Sequence, residues 1–173
     1  MSNLITNDRE AFQYVKNMLL KQDEKSTDLS DNCQYRGWSE ELVDEVRHKI
    51  YVDPSELDDE EDFDSTRFLD REDELLWETI ASMPTNTKCA AGWLIHDNFY
   101  HQNFEGETVN PASNDIWDVI KLSNPVWFTT EKSLSMVKQL QSIHDQEHVS
   151  DWSEKFESFE DRFNAYGDYT GSY

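Results

Sequence analysis

Any chemistry in this 173-residue chain falls to a few polar groups beside apolar segments: Cys33, Tyr35, Arg36, Cys89, His96, Glu105, His144 and Asp145. A cysteine nucleophile needs a base within hydrogen-bond reach and a third group to orient that base. Cys89, His144 and Asp145 have the right types. Asp145 directly follows His144, however, and successive side chains on a helix diverge by about 100 degrees, which predicts a poor orienter. Cys33, Cys89 and His144 also form a candidate metal set, since thiolate and imidazole suit zinc. In the structural alternative, Cys89 beside Ala and Trp is a small hydrophobe and the His144 imidazole bonds a carbonyl of a nearby hairpin.

The common cofactor signatures are missing. No Gly-rich phosphate loop, nucleophile elbow or paired-Cys zinc spacing occurs, and five glycines leave little room for one, so no cofactor is expected. From Asp53 to Asp64, eight of twelve residues are acidic. Calcium takes about six to eight oxygens, but this run lacks the D-x-[DN]-x-[DN]-G loop, and 56–64 has no glycine for the turn.

Charge excludes more than motifs do. The chain has 37 Asp and Glu against 15 Lys and Arg, a formal charge of −22. Phosphates bind cations, so direct binding of nucleic acid or of an anionic membrane is excluded. Basic protein surfaces are the expected partners. Within the acidic run, Asp58, Asp59, Glu60, Glu61 and Asp62 are the expected contacts, with Phe63 and Phe68 as apolar anchors. Two cysteines are too few for a disulfide framework, and no apolar leader or membrane span is present, which predicts a cytoplasmic protein with reduced thiols.

The elements that must position these groups are mainly helical. Asn7 and Glu10 suggest a capping box for a first helix ending near Gln22, with Phe12, Val15, Met18 and Leu19 on one face. Ser39 caps a second, in which Leu42, Val43, Val46 and Ile50 share a face before Pro54. A third is expected over Arg71 to Ser82, burying Leu75, Leu76 and Ile80 ahead of Pro84. Cys89 to Tyr100, the least polar stretch, reads as a short buried helix, Gln102 to Asn114 as loop, and Asp115 to Leu122 as another short helix. Thr130 caps a longer one, where Leu134, Val137, Leu140, Ile143 and His144 recur. The last helix has an all-aromatic stripe of Trp152, Phe156, Phe159, Phe163 and Tyr166, ended by Gly167. Six Trp, seven Tyr and nine Phe give enough buried area for one folded domain of 1–173.

Four pieces in order, Cys33 to Gly37 (C-x-Y-R-G), Lys88 to Ile95 (K-C-A-A-G-W-L-I), Glu105-Gly106 and Leu140 to Asp145 (L-Q-S-I-H-D), resemble a family of small phage and bacterial proteins with no established activity. In that family the first two pieces lie a few turn residues apart, as in a hairpin leading into a helix. The resemblance implies that Cys33 and Cys89 lie on neighbouring strands and that 37–87 is an acidic helical insertion. The expected fold is mainly α, an α+β single domain of five to seven short helices around a two-stranded hairpin. The expected function is that of a phage or mobile-element accessory protein that binds protein, competing with nucleic acid for a basic host surface by charge mimicry. A Cys/His metal-binding or thiol-dependent enzyme and a virion or assembly component are the alternatives.

Overall fold

The computed structural model describes residues 4–27, 33–50, 65–105, 107, 109 and 115–171. Among the described residues, six α-helices, four 3₁₀ turns and one two-stranded antiparallel sheet give the mainly α architecture expected from the sequence. The chain divides into two compact units, Met1–Gly37 with Thr87–Tyr173, and Trp38–Asn86. No described helix is long and apolar enough to cross a membrane.

In the first unit, α1 (Asp8–Gln22) starts where Asn7 accepts the Glu10 amide at 3.0 Å. The Glu10 carboxylate takes the amide of Thr6, at 2.7 Å, one residue before the cap itself. Its buried face, Phe12, Val15 and Leu19, packs against α5 (Glu131–Gln146) and α6 (Trp152–Glu160). The Phe12 ring stacks on Phe159 with centroids 5.5 Å apart and meets Phe163 at 5.3 Å. Each large apolar side chain buried here stabilises the fold by roughly 1.5–3 kcal/mol, so this aromatic layer is the main source of cohesion. A Thr130–Ser133 capping box opens α5, and α4 (Asp115–Ser123) buries Ile116 and Ile120.

The aromatic stripe is shorter as a helix than its spacing suggests. Helix α6 ends at Glu160, and the chain then turns back so that Phe163 bridges Tyr169. Tyr169 is buried, whereas Tyr166 is 85% exposed at the tip of the turn and leaves the core. Gly167, at φ +88°, makes the return possible, since a Cβ there would also sit 2.7 Å from the Asn7 Oδ1. Cys89 to Tyr100 likewise departs from expectation. It forms two 3₁₀ turns, Gly92–Leu94 and Asp97–Phe99, because the His96 amide donates to the Ser123 hydroxyl and the Leu94 carbonyl accepts from the Asn124 side-chain amide, bonds that compete with helix continuation.

The expected hairpin is present. Strand β1 (Arg36–Gly37) pairs with β2 (Thr87–Lys88), Arg36 opposite Lys88 and Gly37 opposite Thr87. Cys89 directly follows β2. Cys33 sits just ahead of β1, where it bridges Thr27 instead of entering the ladder.

In the second unit, α2 (Glu40–Arg47) begins at Ser39, which accepts the Leu42 amide at 3.2 Å. It packs on α3 (Ser65–Ala81) around Val46, Leu76 and Ile80. Helix α3 begins six residues ahead of the expected Arg71, since Ser65 to Asp70 carries no breaker and continues the same turn. Asn86 fastens the ends of the unit, accepting from the Ser39 amide and donating to its hydroxyl, both at 2.8 Å.

Candidate functional site

In the first unit Cys33, Cys89 and Asp145 line a pocket of about 490 Å³ together with Tyr35, Lys138 and Gln141, and a nitrogen of the buried His144 lies within 4.8 Å of Cys33 Sγ and an Asp145 oxygen. The last turns of α5 position the polar groups. Gln141 is the hub: its Oε1 accepts the Ala91 amide at 3.1 Å, which leaves Nε2 to donate to Cys33 Sγ at 3.0 Å and to Asp145 Oδ1 at 2.8 Å. Cys89 is buried and its Sγ accepts the Gly92 amide at 3.4 Å. A Cβ on Gly92 would lie 2.0 Å from the Tyr35 carbonyl oxygen, so glycine is what lets the Cys89 turn approach the segment between Cys33 and β1.

His144 is fully buried and stacks on Trp152 with ring centroids 5.4 Å apart. The Ser26 amide donates to its Nε2 at 3.1 Å, and Nδ1 lies 2.8 Å from Asp145 Oδ1. These partners assign the proton to Nδ1, which donates to the carboxylate. Asp145 therefore does orient His144, against the expectation from their adjacency. The helical step separates the two Cβ directions, but Gln141, one turn earlier, draws the carboxylate back across the ring edge. The backbone partner of His144 is an amide, not the expected carbonyl, because the segment after α1 presents N–H groups to the end of α5.

Contact with Cys89, followed by burial, pushes the Cys33 thiol far above its ordinary range, and the neighbouring Asp145 adds to this. Burial pushes the Asp145 carboxyl up, but hydrogen bonds from His144, Cys33 and Gln141 outweigh it and hold the group below the usual carboxylate value. For His144, burial pulls the pKa downward, but the hydrogen bonds and charges of Asp145 and Cys33 outweigh it and hold the group above its usual value. The Ser26 amide aims its hydrogen at Nε2, the bond that favours the neutral Nδ1–H tautomer. The result is a protonated thiol beside a histidine with both nitrogens engaged, which is not an activated nucleophile.

Comparison with protein-family models, curated proteins and solved structures returns no match. The geometry alone carries the functional reading.

Of the remaining residues singled out by sequence, Tyr35 lines the pocket, whereas Arg36, His96 and Glu105 do not. Glu105 accepts from the amides of Tyr35 at 2.7 Å and Arg36 at 3.1 Å, and from the Tyr100 hydroxyl at 2.6 Å. Burial raises its pKa above the usual value. The Arg36 guanidinium lies 4.0 Å from the Tyr100 ring centroid and, with Lys88, pairs with Asp97. His96 caps its own turn by accepting the Asn98 amide. Asp58, Asp59, Glu60, Glu61, Asp62 and Phe63 lie outside the described residues. Phe68 belongs to α3, with its side chain outside them too. Sequence reasoning overlooked Gln141 and Ser26 as site residues. Gln141 was within reach, since it stands one helical turn before both His144 and Asp145; Ser26 carried no signal, because its contribution is a backbone amide.

Proposed function

We propose that this chain is an acidic accessory protein of a phage or mobile element that works in the host cytoplasm by binding protein. Its Trp38–Asn86 unit docks on a basic surface that otherwise holds nucleic acid and inhibits that partner by competing for it. One observation carries the reading: this unit is separately compact and holds 17 of the 37 acidic residues but 4 of the 15 basic ones, a net charge of −13. Glu41, Asp44 and Glu45 of α2 and Asp73, Glu74 and Glu78 of α3 are all exposed. A field this dense in one sign steers a cationic partner and repels duplexes and anionic lipid. The resemblance to small phage and bacterial proteins supplies the biological context.

The test is capture of host proteins on the immobilised chain at low and high salt, followed by competition with duplex DNA. Basic nucleic-acid-binding proteins should be held at low salt, lost as the Debye length shrinks below about 10 Å, and displaced by DNA. They should also be lost when Asp58, Asp59, Glu60, Glu61 and Asp62 are neutralised together. A partner that stays bound to the neutralised variant, or no partner at any salt, overturns the proposal.

A further inference from the structure

Resting on that reading, we propose that the exposed Trp77 indole of α3 anchors the docking face and seats an arginine side chain of the basic partner beside the Asp73 and Glu74 carboxylates.

Helix packing brings these residues together. Leu76 and Ile80 are buried in the unit where α3 packs on α2, which turns Asp73, Glu74, Trp77, Glu78 and Ala81 outward. Asp73 and Glu74 stand four and three residues before Trp77, and Ala81 four residues after it, so the four share one face. Side chains on a helix lean towards its N-terminus. The indole therefore leans over the two carboxylates, while Ala81, with only a methyl group, leaves its other side open. Trp77 is 40% exposed, and among the described residues its Nε1 has no hydrogen-bond partner and its ring no aromatic or cationic contact. Tryptophan is also among the residue types that most often carry the energy of an interface.

The surroundings select the occupant. Asp73 and Glu74 repel phosphates and anionic headgroups, which excludes stacking of nucleic-acid bases or insertion into an anionic membrane at this ring. A second copy of the chain, at −22, is repelled as a whole. A guanidinium fits: it is planar, sheds water more readily than an ammonium, and stacks on an indole while its N–H fork bonds carboxylates. Both carboxylates already take this group from their own chain, Asp73 from Arg47 at 3.6 Å and Glu74 from Arg71 at 2.5 Å. Those pairs are solvent-exposed and weak, so an arginine that also covers the indole replaces them.

The experiment uses the full chain, isotope-labelled for NMR and titrated at low salt with nona-arginine and separately with nona-lysine. The indole N–H signals of the six tryptophans are followed, that of Trp77 being identified by its loss in Trp77→Phe. Nona-arginine should shift the Trp77 signal more than the others, and nona-lysine should shift it less. Nona-arginine should also bind about five-fold more tightly than nona-lysine, and Trp77→Ala should abolish that preference. Ala81→Arg, which keeps the indole and offers it a cation from the next turn, should weaken nona-arginine more than nona-lysine. If the peptides bind but the Trp77 signal is unmoved at saturation, or the arginine preference survives in Trp77→Ala, the proposal is overturned while docking of a basic surface on this unit stands. If neither peptide binds the wild-type chain, the docking reading falls with it. Concentration-dependent association of the chain that Trp77→Ala abolishes would assign the face to a second copy and overturn the proposal too.

Discussion

The Ser26 amide and the His144 imidazole, 118 residues apart in the chain, meet in a buried hydrogen bond of 3.1 Å. This bond ties the segment after α1 to the last turn of α5 and sets the histidine tautomer. It also turns a residue type usually associated with proton transfer into a crosslink.

His144→Ala should therefore destabilise the protein by about 3–4 kcal/mol, combining an unsatisfied buried amide with the cavity left against Trp152. His144→Gln, which can still offer an oxygen to Ser26, should lose less. Urea denaturation followed by far-UV circular dichroism decides, and a cost below about 1 kcal/mol for the alanine variant contradicts a crosslinking role.

Asp145 gives a pH dependence. Its folded pKa lies below the ordinary carboxylate value, so the folded state holds fewer protons than the unfolded one, and its contribution is fully present above about pH 4. That contribution fades as pH falls through the lower, folded value. The stability difference between wild type and Asp145→Asn should be level from about pH 5 to 7 and shrink below about pH 4. A difference that grew on acidification would reverse the sign.

Gly92→Ala places a methyl group 2.0 Å from the Tyr35 carbonyl oxygen, and a backbone atom cannot rotate away. The expected cost is about 3 kcal/mol, in the upper part of the overpacking range. It should come with altered reactivity of Cys33 and Cys89 towards a thiol reagent, because the two segments that carry them must separate. Wild-type stability in this variant would contradict the close approach.

Asp8 accepts from Trp127 Nε1 at 2.8 Å and from the Tyr169 amide at 2.9 Å, and it is buried. Asp8→Ala leaves both donors without a partner and should cost about 2–4 kcal/mol. Release of the segment carrying Tyr169 should appear as faster amide exchange there. Exchange unchanged at Tyr169 would show that the hydrogen bond is dispensable.

How far the fold was legible depended on how local its causes are. Asn7, Ser39 and Thr130 mark the starts of α1, α2 and α5 because a cap acts within three residues. Phe12, Val15 and Leu19 announced their face through spacing alone. Tyr166 misled because a helical period says nothing about where the chain leaves the helix. Arg162 sets that point, its carbonyl accepting from the amide and the hydroxyl of Thr170 in the return segment. The helix expected from Arg71 begins at Ser65, since Ser65 to Asp70 has no breaker.

The candidate site was legible as a set of residue types and illegible as a geometry. Cys33, Cys89, His144 and Asp145 stood out because few side chains can carry such chemistry, and that follows from the sequence by itself, as do the −22 charge and its concentration in 38–86. Only the tertiary structure decided that His144 spends both nitrogens on a backbone amide and a carboxylate, and that Gln141 joins Cys33 to Asp145. The physical reason is distance along the chain: residue chemistry is a local property, whereas a hydrogen bond between Ser26 and His144 exists only after the aromatic core has brought the end of α1 against α5.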